Sequence, residues 1–327
     1  MLSTQGDECP RPITRRFREK WDKLGLAAEG IARMAKRFYY SHSQGMPANT
    51  VFERPTESGA SPDEGDSALW PMDQSFPFRD DHMYRVVSFG KTDTGLRRSN
   101  NEDAFYVDQQ LGVCALADGM GGAAAGELAS QLFADTAREV FSVHTADSEE
   151  QQLDLLQRTY EMANERILDH VRENPGHAGM GCTAELVRFY DQKFVLGHVG
   201  DSRTYLFRNG EFKQLTRDHS LVQDQLDLGL ITAEEARKHR LRNVILRAVG
   251  TKEALAVDFV RGRLLPGDIF LLCSDGLTDM LEDDAIREVL GIALTIGQKV
   301  DQLIEMAKSA GGSDNITVIL SKVIQRQ

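Results

Sequence analysis

Apolar residues recur along this chain in two rhythms. Short runs such as YRVVSFG (84–90), AFYVD (104–108) and VCALA (113–117) have the composition of strands and end in Gly, Asn or Asp. Between them and the next such run, Leu128, Ala129, Leu132, Phe133, Thr136, Val140 and Phe141 repeat at helical spacing. Leu153, Leu156, Tyr160, Ala163, Ile167 and Val171 then do the same. Each segment carries one apolar stripe, which predicts a helix lying on a sheet rather than one inside a bundle. Strands are expected again over 182–190, 193–200, 204–208 and 211–216, the last two joined by the hairpin signal Asn209-Gly210. A polar, helix-prone insert fills 218–242. Strands follow at 255–262, 268–274 and 315–323, with two helical segments before the last. Consecutive strands with tight turns mean antiparallel sheet, so the expected class is α+β and not a doubly wound fold.

The first 82 residues have another texture. Residues 11–40 are basic and helix-prone, with Gly25 and Gly30 as weak points. Residues 41–82 carry Pro47, Pro55, Pro62, Pro71 and Pro77 among Ser, Gly and acidic residues, the composition of a linker. The chain therefore reads as an extension over 1–82 and a compact domain over 83–325. The basic segment is expected to be a solvated helical extension, with docking to a partner or an acidic lipid surface as the other reading.

Charge and composition then narrow the function. The net charge of −12 argues against a general nucleic-acid binder, whose footprint would be basic. It also makes an anionic substrate awkward unless local positive charge meets it. No stretch has the apolar length of a membrane span or a signal peptide. With four cysteines (Cys9, Cys114, Cys182, Cys273) and no CxxC, a cytoplasmic monomer is expected.

Candidate chemistry lies at the strand ends. VCALADGMGG plants Asp118 and Gly119 directly after an apolar run, and DIFLLCSDGLTD repeats the pattern with Asp275-Gly276. Asp314 precedes the last strand, Asp201 stands between two strands in HVGDSR, and Glu102-Asp103 open another. Each alone reads as a turn or a strand cap. Together they would repel one another strongly, unless hard divalent cations such as Mg²⁺ or Mn²⁺ neutralise them. Glycine after the aspartate would let a backbone carbonyl approach an ion closely.

The ordered set GLRRSNNEDA, ALADGMGG, GCTAELV, HVGDSR, LTRDHS, LCSDGLTD and GGSDNITVIL resembles the metal-dependent serine/threonine protein phosphatases of the 2C type, over roughly residues 83–324. The DGMGG spelling and short inserts are similar to bacterial members. The resemblance implies two packed antiparallel sheets flanked by helices, a four-layer sandwich. It implies that Asp118 bridges two Mn²⁺ or Mg²⁺ ions and that the Gly119 carbonyl contacts one of them. Asp275 and Asp314 would complete the other site, and Glu102 and Asp103 would hold metal-bound waters. Asp201 matches a position that helps bind a third, looser ion. Arg98, chosen over Arg97 by counting back from Asn101-Glu102-Asp103, matches the arginine that grips the substrate phosphate. The implied reaction is hydrolysis of phosphoserine and phosphothreonine in phosphorylated proteins, the substrates of a serine/threonine kinase. A metal-bridged water would be the nucleophile, and no protein nucleophile would be needed. The alternative is a catalytically weak phosphoprotein-binding scaffold on the same fold.

Met120 is a departure. Many relatives have histidine there, able to protonate the leaving alkoxide, and a thioether cannot. His198 and His219 lie near other motifs and are expected to be structural. A cysteine phosphatase is disfavoured: Cys9–Arg15 lies in the extension without glycine, and Cys182–Arg188 lies inside a strand.

Overall fold

The alternation seen in the sequence is realised in a computed structural model that describes residues 84–121, 125–144, 146 and 148–325. The basic segment, the linker and Cys9 lie outside the described residues. In chain order the elements are β1 (Tyr84–Asp93), β2 (Asp103–Asp108), β3 (Val113–Met120), α1 (Ala125–Val143) and α2 (Glu149–Glu173). After a 3-10 turn (Pro175–His177) come β4 (Gly181–Cys182), β5 (Ala184–Tyr190), β6 (Lys193–Val199), β7 (Arg203–Arg208) and β8 (Glu211–Gln214). The insert forms α3 (Leu221–Asp227) and α4 (Ala233–Arg237). Then follow β9 (Asp258–Arg263), β10 (Ile269–Cys273), α5 (Asp275–Thr278), α6 (Asp283–Gly291), α7 (Ile296–Ser309) and β11 (Ile316–Gln325).

These strands make two antiparallel sheets. One has the order β1-β11-β10-β7-β8; the other runs β2-β3-β5-β6-β9, with β4 paired to β3. Their facing sides share one apolar layer, in which Leu116, Val187, Phe189 and Leu196 of one sheet meet Leu206, Phe270, Leu272 and Ile319 of the other. Phe270 is held edge-on by Phe189 and Phe194, with ring centroids 5.1 and 4.8 Å apart. The outer faces are closed by helices: α1 and α2 on the second sheet, α6 and α7 on the first. The result is the four-layer α+β sandwich that the single apolar stripes required.

Local chemistry sets the boundaries. α2 begins at Ser148, whose hydroxyl accepts from the Gln151 N–H while the Gln151 side chain returns to the Ser148 N–H. The β7–β8 hairpin turns on Asn209 and Gly210, both at positive φ (51° and 86°). Two expectations shift. The strand expected over 182–190 breaks at Thr183: its N–H donates in register to the Asp118 carbonyl at 2.8 Å, but the Asp118 N–H returns to the Thr183 hydroxyl at 2.9 Å and not to its carbonyl. The strand expected from 255 begins at Asp258, because Leu255 and Val257 are drawn to the core under α1 and α2.

Candidate active site

Strand register gathers the carboxylates at one end of the sandwich. Asp103 of β2 stands directly opposite Asp118 of β3. Like charges in that relation destabilise a sheet, so the pairing works against the fold. Asp275 opens α5 immediately after β10, and Asp314 sits just ahead of β11, the strand beside β10. A cleft of about 490 Å³ is lined by Arg98, Glu102, Asp118, Gly119, Asp201, Asp275 and Asp314, with Arg97 and Met120 on its wall. Asp103 lies beneath it, buried beside Asp118. All the site residues expected from the sequence therefore come to one place.

The two Asp-Gly steps are sterically required for a reason the sequence did not show. A Cβ on Gly119 would lie 2.1 Å from the Gly126 carbonyl oxygen and 2.6 Å from that of Glu102. On Gly276 it would lie 1.9 Å from the Asn315 carbonyl oxygen. Backbone from neighbouring segments presses onto both glycines, which fixes the preceding aspartates at the cleft floor.

The electrostatics are those of a crowded anionic pocket. Burial, and then Asp103, Asp275, Asp201 and Asp314, hold the Asp118 carboxyl well above the ordinary range. Burial followed by Asp201, Asp279 and Asp314 does the same to Asp275. Asp103 is pushed up to about 6 by burial, against the opposing hydrogen bonds of Thr317 and Ser274. Asp201 rises to about 7 through burial and Asp218, with Arg203 pulling the other way. Arg98 offers the nearest relief: its Nη2 donates to Asp314 Oδ2 at 2.6 Å. Burial would lower the Arg98 pKa, but Asp314 overrides it and the net shift is upward.

Hydrogen bonding leaves specific oxygens unused. Asp103 Oδ2 accepts from Thr317 Oγ1 (2.6 Å) and Ser274 Oγ (2.8 Å), while its Oδ1 is buried with no partner. Asp275 Oδ1 is orphaned in the same way. Such atoms are costly unless something outside the protein meets them. Among the described residues no three His, Cys, Asp or Glu side chains close into a preset cage for a metal ion. With the guanidinium on Asp314 and mutual repulsion elsewhere, the carboxylates converge without meeting. The donor set is nonetheless hard oxygen throughout, with two buried oxygens unfilled, which fits Mg²⁺ or Mn²⁺.

Supporting residues escaped the sequence reading. Thr183 accepts from the Asp118 N–H at 2.9 Å and is hydrogen-bonded to Ser202 at 2.7 Å, tying the Asp118 turn to the Asp201 turn. Asn315 accepts from the Glu102 N–H and donates to the carbonyls of Thr94 and Asn100. From the segment that follows the insert, Asn243 and Ile245 reach the cleft wall. Asn315 adjoins Asp314 in GGSDNITVIL, and Thr183 stands inside GCTAELV; membership of those motifs was the available signal. Asn243 and Ile245 carried none. His198 and His219 are buried at 0% and 2% exposure and belong to a network behind the cleft.

Strand-end carboxylates at one edge of a two-sheet sandwich define the architecture and site of the protein phosphatase 2C class. The sequence profile described as Protein phosphatase 2C matches residues 96–320. This chain belongs to that family. It is 40% identical over 237 residues to the serine/threonine protein phosphatase PstP of Mycobacterium tuberculosis, a match covering 72% of this chain and 44% of that protein. The chain thus matches less than half the length of that relative. It is 36% identical over 234 residues to the protein phosphatase PhpP of Streptococcus pneumoniae, covering 70% of this chain and 94% of the other. Among solved structures, the M. tuberculosis PstP catalytic domain in complex with two manganese ions superposes with a TM-score of 0.68 at 37% identity, covering 74% of this chain and 99% of that one.

Proposed function

We propose that this chain is a metal-dependent protein phosphatase that hydrolyses phosphoserine and phosphothreonine in phosphorylated proteins, the products of a serine/threonine kinase. The observation that carries this reading is the convergence of Asp118, Asp275, Asp314 and Asp201 on one cleft, with buried carboxylate oxygens left unpartnered on Asp275 and on Asp103 beneath it. Asp118, Asp275, Asp314 and the Gly119 carbonyl would hold Mn²⁺ or Mg²⁺, with Glu102 and Asp103 behind them. Bound there, two such ions supply a water nucleophile at neutral pH and neutralise charge at the phosphoryl group.

The chain's own groups do the rest. Asp103 is locked through Oδ2 by Ser274 and Thr317, which holds the carboxylate in place with its Oδ1 unspent. Thr183 and Glu102 fix the Asp118-Gly119 backbone through its two N–H groups, at 2.9 and 3.0 Å. Arg98 is the planar fork for phosphate oxygens, and its bond to Asp314 has to open for that task. Asp201, on the same cleft, would serve the leaving group, since Met120 has no proton to give.

Hydrolysis of a phosphothreonine peptide should require Mn²⁺ or Mg²⁺, stop in excess chelator and return when metal is restored. Full turnover in chelator would reject the phosphatase reading. Saturable phosphopeptide binding with no metal-dependent turnover would select the scaffold instead.

A further inference from the structure

A second cleft, of about 640 Å³, opens at the opposite end of the β2–β3 ladder. It lies about 17 Å along the strand from Asp118, five residues at strand rise. Tyr84, Arg85, Gln109, Gln152, Arg188 and Tyr190 are on its walls, contributed by β1, the β2–β3 turn, α2 and the end of β5. None of these residues belongs to the active site.

Arg188 is the unusual member. Its Nε donates to Gln152 Oε1 at 3.1 Å. That amide is itself fixed, because Gln152 is 1% exposed and its Nε2 donates to the Ala146 carbonyl at 2.8 Å. Neither Nη atom has an acceptor among the described residues. Burial lowers the Arg188 pKa against the pull of Asp108 and Asp191, and neither carboxylate reaches the guanidinium. Asp108 is already occupied: Oδ1 accepts from the N–H groups of Gln110 and Leu111, and Oδ2 from the Tyr106 hydroxyl. Other half-buried or buried arginines in this fold are matched, Arg203 with Asp218 and Arg208 with Asp268. The Tyr190 hydroxyl, also buried, finds no partner in hydrogen-bond geometry.

A guanidinium held rigidly by one nitrogen on a cleft wall, with no acceptor for either terminal nitrogen among the described residues, is a fork open to an anion. Leaving such a charge half-buried and unpaired is costly for the fold alone. We propose that this cleft is a second binding site, for a small oxyanion-bearing ligand, with Arg188 as the bidentate anchor and Arg85 as the outer charge. A pocket of this size suits a metabolite-sized ligand. Carboxylate and phosphate share the required chemistry.

The test uses the full chain in chelator, with Arg98→Ala added so that the active-site arginine cannot hold phosphate. Thermal melting and calorimetry would be followed against inorganic phosphate in one arm and succinate in the other. A saturable rise in Tm with either anion is expected, and the stronger arm identifies the ligand's acid group. Arg188→Gln should weaken that binding at least tenfold while leaving aryl phosphate turnover of the metal-loaded enzyme unchanged. Should Arg188→Gln lower the ligand-free Tm markedly, the exposed Arg85→Gln is the second variant, expected to weaken binding about threefold. No saturable binding in the Arg98→Ala chain, or binding indifferent to both Arg188 and Arg85, would overturn the site.

Discussion

Two groups of buried acids occupy the same sandwich and are treated in opposite ways. Behind the cleft, Glu185 is fully buried with both oxygens in use: Oε1 by His198 Nδ1, and Oε2 by Thr204 Oγ1 at 2.5 Å. His198 Nε2 donates to the Arg217 carbonyl at 2.9 Å, and Nδ1 shares a proton with the Glu185 carboxyl, whose own pKa burial raises. Burial opposes charge on the ring, but Glu185 overrides it and raises the His198 pKa. His219, its ring centroid 4.6 Å from that of His198, is driven the other way, to about 4, by burial and by His198. Its Nδ1 accepts from the Gly200 N–H, so Nε2 carries the proton toward Asp258. Every acid in that network has a partner. At the cleft, Asp103 and Asp275 each keep a buried oxygen with none. Burial alone does not separate a structural carboxylate from a functional one; saturation does.

The comparison breaks most sharply when one member of each group is removed. Asp118→Asn or Asp275→Asn should cut phosphopeptide turnover by about a thousandfold, the scale of losing a group that stabilises transition-state charge. In chelator the same variants should melt no lower than the parent, because each removes a repelling charge. A large loss of metal-free stability would place these aspartates with Glu185 as structural acids. Glu185→Ala should do the reverse. It leaves His198 Nδ1 and Thr204 Oγ1 buried without their partner and should cost about 1–3 kcal/mol in urea unfolding, by the same amount with metal or without.

A weaker effect follows from pH. Asp103 and Asp201 are held at about 6 and about 7, and Asp118 and Asp275 are also raised. Unfolded aspartates titrate near 3.9. Between those values the folded chain binds more protons, so metal-free stability falls as pH rises from about 4 through about 7. Tm in chelator should therefore drop by several degrees across that window, and Mn²⁺ should remove most of the slope. A Tm that climbs with pH in chelator would contradict the crowding described at the cleft.

The layers were legible because single-stripe helices and tight strand turns leave few arrangements that bury every apolar face. The site residues could be named because each aspartate sits at a strand end inside the ordered set of motifs that carries the family resemblance. What could not be read was whatever depends on contacts between distant segments. The Asn315 carbonyl pressing on Gly276, the Thr183 hydroxyl bond that breaks a strand, and Ile245 on the cleft wall are of this kind. The Arg98–Asp314 pair also joins residues 216 positions apart, each of which the sequence placed in a separate role.

The smallest effect concerns the one cleft acid with a charged bridge at its back. Asp201 is 8% exposed, and its neighbour Asp218 is engaged by Arg203 through both carboxylate oxygens. Burial and Asp218 raise the Asp201 carboxyl to about 7 in the metal-free chain; with a divalent ion held beside it, Asp201 would instead position an acidified water as the proton source. Met120, at the cleft wall, has no proton to give. An aryl phosphate departs as a stabilised phenolate, whereas a serine or threonine alkoxide needs a proton as it leaves. Asp201→Ala should therefore slow phosphopeptide hydrolysis about tenfold, a loss of about 1.4 kcal/mol, and leave aryl phosphate hydrolysis nearly unchanged. Melting temperature measured alongside separates this from a folding defect. Equal losses on both substrates would assign Asp201 to assembly of the site with Asp118 and Asp275. No loss on either would return it to the strand-end turn that its position between β6 and β7 first suggests.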